Sequence, residues 1–303
     1  MKRSFLVFIF LITASVSFAC PICGCGGGSM YMGLLPNFQS KFIGVRYHYA
    51  AYHTQLANNP GQFSDNYYNI TELWGGINIG SKFKVLGFVP YYFNKQSDDD
   101  GVTYKNGLGD ITLLGQYKIW SAINSIGGNK VLHQQLWIGG GVKLPTGIFN
   151  INVNDTTTTI ADINAQLGTG SIDFILNGMY SFTAGNFGFN TSVTYKINSQ
   201  NKDRYLYGNK FTLNSIAYYN FSGKKMQFSP NIGIGYENTA SNELYASKVR
   251  YTGSRVTTVI AGLETSFNSI GIGINAQLPI QQDFAEGQTK LNMKAMAHIT
   301  FSF

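Results

Sequence analysis

The densest group of reactive side chains in this 303-residue sequence is Cys20-Pro-Ile-Cys23-Gly-Cys25, with Met30 and Met32 close behind. Thiolate and thioether sulfur together suit a soft ion such as copper(I), or zinc, or an iron–sulfur centre. Glycines 24, 26, 27 and 28 would let the backbone wrap a small ion. Two other fates compete for the same sulfurs: a disulfide in an oxidising compartment, and lipidation of Cys20 at a processed N-terminus. Zinc usually takes a fourth ligand, and no second CxxC supplies it. The odd cysteine count leaves one sulfur to be explained in any case. Cys20, Cys23, Cys25, Met30 and Met32 are therefore the candidate metal ligands, and a soft metal is the one cofactor this sequence suggests.

Enzyme chemistry is not expected. The histidines are His48, His53, His133 and His298, and no His-Glu-x-x-His or Gly-x-Ser-x-Gly stretch occurs. The triple-glycine runs lack the Lys-Ser/Thr partner of a phosphate-cradling loop. No catalytic residue is assigned.

The elements that would carry these groups begin after a leader. Lys2 and Arg3 precede an apolar stretch from Phe5 to Val16, and Ser17-Phe18-Ala19 offers small residues where a signal peptidase reads. Residues 1–19 are read as a secretory signal. Removing them leaves 303 − 19 = 284 residues and a charge of (22 − 2) − 15 = +5. The basic residues are scattered, so the electrostatic footprint of a nucleic-acid binder is missing. Residues 20–40 form a Cys/Gly-rich segment, expected on the periplasmic side as a metal-binding stretch or a lumen plug.

Residues 41–303 read as β-structure. Charged residues are 12% of the chain and aromatics 15%, against a usual charged share of about 25%. Twelve segments alternate with period two: 42–53, 69–80, 83–94, 109–120, 134–145, 171–182, 187–198, 210–221, 226–237, 256–267, 270–281 and 290–303. Each is about the length of a tilted membrane-spanning strand, roughly 9–11 residues plus its ends. One face of each carries no charge, as in Ile43, Val45, Tyr47, Tyr49 and Ala51, or Ile270, Ile272, Ile274, Ala276, Leu278 and Ile280. The opposite face carries Arg46, Glu72, Lys84, Asp110, Lys118, Lys143, Asp173, Lys196, Glu237, Glu264 and Lys294, with Trp74, Trp137 and His298 among them. A water-soluble sandwich is apolar inside. A transmembrane barrel reverses that, with lipid outside and a polar lumen within. The fold expected is all-β: a transmembrane antiparallel barrel of about 12 strands, its charged face and those tryptophans lining the pore.

Connections alternate between short (such as 80–82, 184–186 and 268–269) and long (54–68, 95–108, 146–170, 199–209, 238–255 and 282–289). That is the periplasmic-turn, extracellular-loop pattern of an outer-membrane barrel. Aromatics crowd the short-turn ends: Tyr117, Tyr180, Phe182, Phe187, Tyr219, Phe221, Phe228, Phe267 and Phe301. They match an interfacial girdle. The chain closes on Ile299, Phe301 and Phe303, like the C-terminal signal read by the barrel assembly machinery, which is an expected partner alongside outer-membrane lipid.

Two stretches carry a family resemblance: Gly107-Leu108-Gly109-Asp110-Ile111-Thr112-Leu113, and Gly139-Gly140-Gly141-Val142-Lys143-Leu144-Pro145-Thr146-Gly147. Together they resemble the outer-membrane transporters named for the meta-pathway of phenol degradation, most firmly over residues 83–180. The resemblance implies a small barrel in the cell outer membrane that admits hydrophobic or aromatic compounds. From the residues themselves, Asp110 is expected to accept backbone donors and hold the strand entrance, and Pro145 to end its strand.

The function expected is passive passage of a small solute. Metal handling by the cysteine segment and a closed, anchoring barrel are the alternatives.

Overall fold

The computed structural model describes residues 41–303 except 57–58, 100, 126, 128–130, 151–164 and 225. The long elements are β1 (Phe42–Leu56), β2 (Asn59–Ile79), β3 (Phe83–Asp98), β4 (Gly101–Leu108), β5 (Thr112–Ser125), β6 (Val131–Lys143), β7 (Asp173–Ala184) and β8 (Phe187–Ile197). They continue with β10 (Lys210–Tyr219), β12 (Met226–Thr239), β15 (Ser254–Phe267), β16 (Ile270–Phe284) and β17 (Thr289–Ser302). Two-residue strands β9 (Tyr205–Leu206), β11 (Phe221–Ser222), β13 (Glu243–Leu244) and β14 (Ser247–Lys248) lie in the connections.

Neighbouring strands pair antiparallel in the order β10-β8-β7-β6-β5-β3-β2-β1-β17-β16-β15-β12, and β12 pairs back onto β10. The sheet is therefore a closed barrel with no free edge. β4 and β5 form one stave interrupted at 109–111: β4 pairs the upper half of β3 and β5 the lower half. Counted so, the wall has twelve staves. The seam between first and last strand runs from Phe42↔Ser302 to Thr54↔Thr289. The Phe303 N–H donates to the Lys41 carbonyl at 2.9 Å, so the described chain starts and ends at the same rim.

The outward face is greasy. Ile43, Leu73, Ile138, Leu176, Ile234, Ile274 and Ile299 are each about half exposed or more. A charge there costs roughly 2–4 kcal/mol at the bilayer midplane. Outward charges among the described strand residues gather near the long-loop end. His53 lies 2.7 Å from Asp65, Lys95 sits over the Tyr67 ring, and Arg255 faces Asp283 across β15 and β16. They mark where the apolar band stops. At the short-turn end, rings stack side by side: Phe83 with Tyr117 at 4.7 Å, Phe182 with Phe189 at 5.6 Å, Tyr219 with Phe221 at 4.9 Å. This belt is the interfacial girdle of a membrane barrel. The chain is a transmembrane barrel of the outer-membrane type.

Two of the expected long loops turn out to be strand, and a third is half strand. Most of 54–68 and 95–108 is paired sheet that prolongs β1–β2 and β3–β4, while 282–289 is the ends of β16 and β17 joined by a 3-10 turn at Ala285–Gly287. Above the apolar band the outward positions turn polar, so alternation fades in the sequence while the backbone ladder continues. Of the other long connections, 199–209 and 238–255 pack on one another through the small β9, β13 and β14 sheet.

The luminal site and its family

Strand alternation sends every second residue inward, and register then decides which inward residues meet. Arg46 and Glu72 stand opposite each other on β1 and β2, and the Arg46 guanidinium donates to the Glu72 carboxylate. The same guanidinium lies 4.6 Å from the Trp74 ring centroid and 5.0 Å from that of Phe88. Glu237 on β12 accepts from Lys294 of β17 at 2.7 Å and pairs with Lys210 of β10 at 2.9 Å. The Nζ of Lys118 lies 5.0 Å from the Trp137 ring centroid, and that of Lys84 5.6 Å. Trp137 Nε1 in turn donates to Gln135 at 3.1 Å. Lys196 is half-buried on the inward face of β8, opposite Lys210. His298 Nε2 lies 3.2 Å from Glu264 Oε2, reaching over Gly273, where an added Cβ would strike both side chains.

Asp110, Lys143 and Asp173 form the tightest cluster, at the loop end of β5, β6 and β7. Lys143 Nζ is 2.5 Å from Asp110 Oδ2 and 2.9 Å from Asp173 Oδ2, and it donates to the Thr169 hydroxyl. Asp110 also accepts the N–H groups of Gly147 and Thr169, both at 2.9 Å. Asp173 accepts the Ser171 hydroxyl at 2.9 Å and the Ser199 N–H at 3.0 Å. All three charges are more than nine-tenths buried. Buried charges persist only when paired and hydrogen-bonded, and here the donors come from the connections themselves. The cluster pins three connections to the rim.

The two family-like stretches meet at this point. The Thr146 hydroxyl accepts the Ile111 N–H at 2.8 Å and donates to the Gly109 carbonyl at 3.1 Å. A Cβ on Gly109 would enter the Tyr92 ring, and one on Gly147 would collide with the backbones of Gly109 and Gly168. Glycine is needed at 147 because main chains approach too closely for any side chain, and at 109 because the Tyr92 ring fills the space.

The interior is not uniformly polar, contrary to the simplest expectation. Phe42, Trp74, Leu86, Phe88, Leu114, Trp137, Ile175 and Met179 form one buried cluster on the inward face of β1 to β7. Leu86 and Leu114 have no exposure. Of these, only Trp74 and Trp137 had been picked out as luminal. The missed signal is a run apolar on both faces, Val85-Leu86-Gly87-Phe88-Val89, in which strict alternation breaks down. Lys210 was also missed, because it opens its strand beside a connection. Cys20, Cys23, Cys25, Met30 and Met32, and the leader, lie outside the described residues.

Comparison with solved structures bears on the fold. An outer membrane channel from Pseudomonas putida F1 is similar at a TM-score of 0.58 and 13% identity, covering 87% of this chain and 96% of that one. The beta domain of the Bordetella autotransporter BrkA is more distant, with a TM-score of 0.48, 11% identity, and coverage of 88% and 100%. No curated protein matches the sequence. The profile of the family described as "Putative MetA-pathway of phenol degradation" matches residues 51–284, and the chain belongs to that family.

Proposed function

We propose that this barrel is an outer-membrane channel for passive passage of a small solute with a hydrophobic or aromatic body. The observation that carries this reading is the mixed interior. An apolar, aromatic sector on β1 to β7 shares the lumen with a sector on β8 to β17 richer in Asn and Thr, where the smaller apolar cluster of Ile216, Ile260 and Met296 also lies, and paired charges occur in both. A wall that only had to hold lipid at bay would need no such division. A solute with an apolar body gains contact on one side, while the other keeps the lumen hydrated.

Charge balance supports the same reading. Arg46, Lys143, Lys210 and Lys294 are each held by a carboxylate, so the wall is largely neutralised rather than strongly ion-selective. Twelve strands give a lumen between the filled eight-stranded barrel and the open sixteen-stranded porin. The similar Pseudomonas putida protein is described as an outer membrane channel, and the family description concerns phenol degradation. The first is in keeping with a channel, the second with aromatic cargo. No energy-coupling motif is recognisable in the sequence, so the driving force is the solute's own gradient.

The test is ion current through the refolded mature protein in a planar bilayer, with a small aromatic such as benzyl alcohol added as a blocker. Current that falls as benzyl alcohol is added supports passage along the aromatic sector. Current unaffected by it, while a sugar of similar size blocks, would assign the lumen to polar cargo instead.

A further inference from the structure

Among the described residues, several hydrogen-bonding atoms in the polar sector of the lumen have no partner. Asn231, Gly262 and Asn275 stand in register on β12, β15 and β16. An added Cβ on Gly262 would meet both Asn231 Oδ1 and the Asn275 side chain, so the two amides converge over that glycine. Asn231 Oδ1, Asn275 Oδ1 and Asn275 Nδ2 find no hydrogen-bond partner among the described residues, nor does His298 Nδ1. Two residues further along β15 and β16, Glu264 and the β17 residue His298 converge over Gly273. His298 is also where the two sectors touch: its ring lies edge-on to Trp74, centroids 6.0 Å apart. Trp74 Nε1 is a further buried donor without a partner among the described residues. Asn231, Asn275, His298 and Trp74 are all more than nine-tenths buried.

Native interiors pair nearly all such groups, and each exception asks for an explanation. Several of the exceptions among the described residues follow one another along the wall from β12 to β2, linked by the convergences over Gly262 and Gly273 and by the His298–Trp74 contact, with donors and acceptors both represented. We infer that Asn231, Asn275, His298 and Trp74 form a luminal binding site for a neutral solute that has an aromatic body and a hydroxyl-type group able to donate and accept a hydrogen bond. Neutrality follows from the neighbours. Glu264 flanks the site and disfavours an anion, and the Arg46 charge that would attract one is already engaged by Glu72. A simple hydrocarbon would leave the amide atoms unsatisfied. A site built around hydrogen-bonding groups discriminates strongly against an analogue that lacks them. The inference rests on the channel reading and narrows its cargo.

Equilibrium binding to the refolded full chain in detergent tests it, with benzyl alcohol, benzyl methyl ether and benzoate as probes and protein-free micelles as the blank. Benzyl alcohol is expected to bind about tenfold more tightly than the ether, which cannot donate, a difference of roughly 1.4 kcal/mol. It is also expected to bind more tightly than benzoate. Asn275→Leu and, separately, Asn231→Leu should erase the preference over the ether. Leucine is of similar size and removes the unpartnered atoms, so folding is spared, and circular dichroism verifies it. Equal binding of alcohol and ether, tightest binding of benzoate, or a preference surviving in both variants would overturn the site. A barrel that conducts without this discrimination refutes the site alone. Discrimination in a barrel that never conducts supports the site and counts against passage.

Discussion

Lys143 Nζ lies 2.5 Å from Asp110 Oδ2, and a second carboxylate, that of Asp173, closes on the same ammonium from the neighbouring strand. The pair joins the two stretches of sequence that most resemble the family. One ion cluster thus holds the broken stave at 109–111, the end of β6 and the start of β7.

Removing the shared cation should be costly. Lys143→Met leaves two buried carboxylates facing each other, and breaking a buried pair by deleting one partner typically costs about 3–5 kcal/mol. The triple variant Lys143→Met, Asp110→Asn, Asp173→Asn should recover part of that loss, since neutral amides tolerate burial better than bare charges. Urea unfolding of the refolded barrel, followed by the folded band in unboiled electrophoresis, checks both. Equal stability of wild type and K143M would show that the cluster does not secure the rim.

The direction of the wall is tested by one lysine placed on either face. Ile234 points outward and is 56% exposed, whereas Asn190 points inward on β8. Ile234→Lys should lower folding stability in lipid by roughly 2–4 kcal/mol. Asn190→Lys should stay within about 0.5 kcal/mol, as expected for a substitution with space and water nearby. Reversed costs would mean the apolar face does not meet lipid.

Glycine positions separate packing from backbone needs. Gly273→Ala places a methyl group against the Glu264 carboxylate and the His298 ring. Overpacking of that kind costs about 1–3 kcal/mol, and displacing either side chain should also weaken benzyl alcohol binding. Gly178→Ala meets no atom within 4 Å and should be neutral, or stabilising by up to about 1 kcal/mol. Thermal unfolding of the two variants side by side makes the comparison.

How far the sequence reveals this barrel depends on the side of the wall. The outward face is legible because lipid imposes one rule on every stave, and residues as distant as Ile43 and Ile299 obey it. The inward face answers to no single rule. Leu86 and Leu114 share one inward cluster with Trp74 and Phe88 across β2, β3 and β5, a meeting set by register that period two does not contain. Asn231 and Asn275 look like ordinary polar positions until pairing brings both over Gly262. The strand extensions above the band were read as loops because hydrogen-bonded pairing outlasts hydrophobic alternation there. Asp110 was legible as an acceptor of backbone donors. Its partner Lys143 was legible only as an inward charge, because their meeting depends on the register that sets Lys143 opposite Thr112.

Single-channel recording on the refolded mature protein, alongside a form lacking residues 20–40, tests the channel most directly. Discrete ion currents in at least one of the two forms are expected, and they should be reduced by benzyl alcohol. Persistent silence of both forms, with the barrel verified as folded, would contradict passage through this lumen.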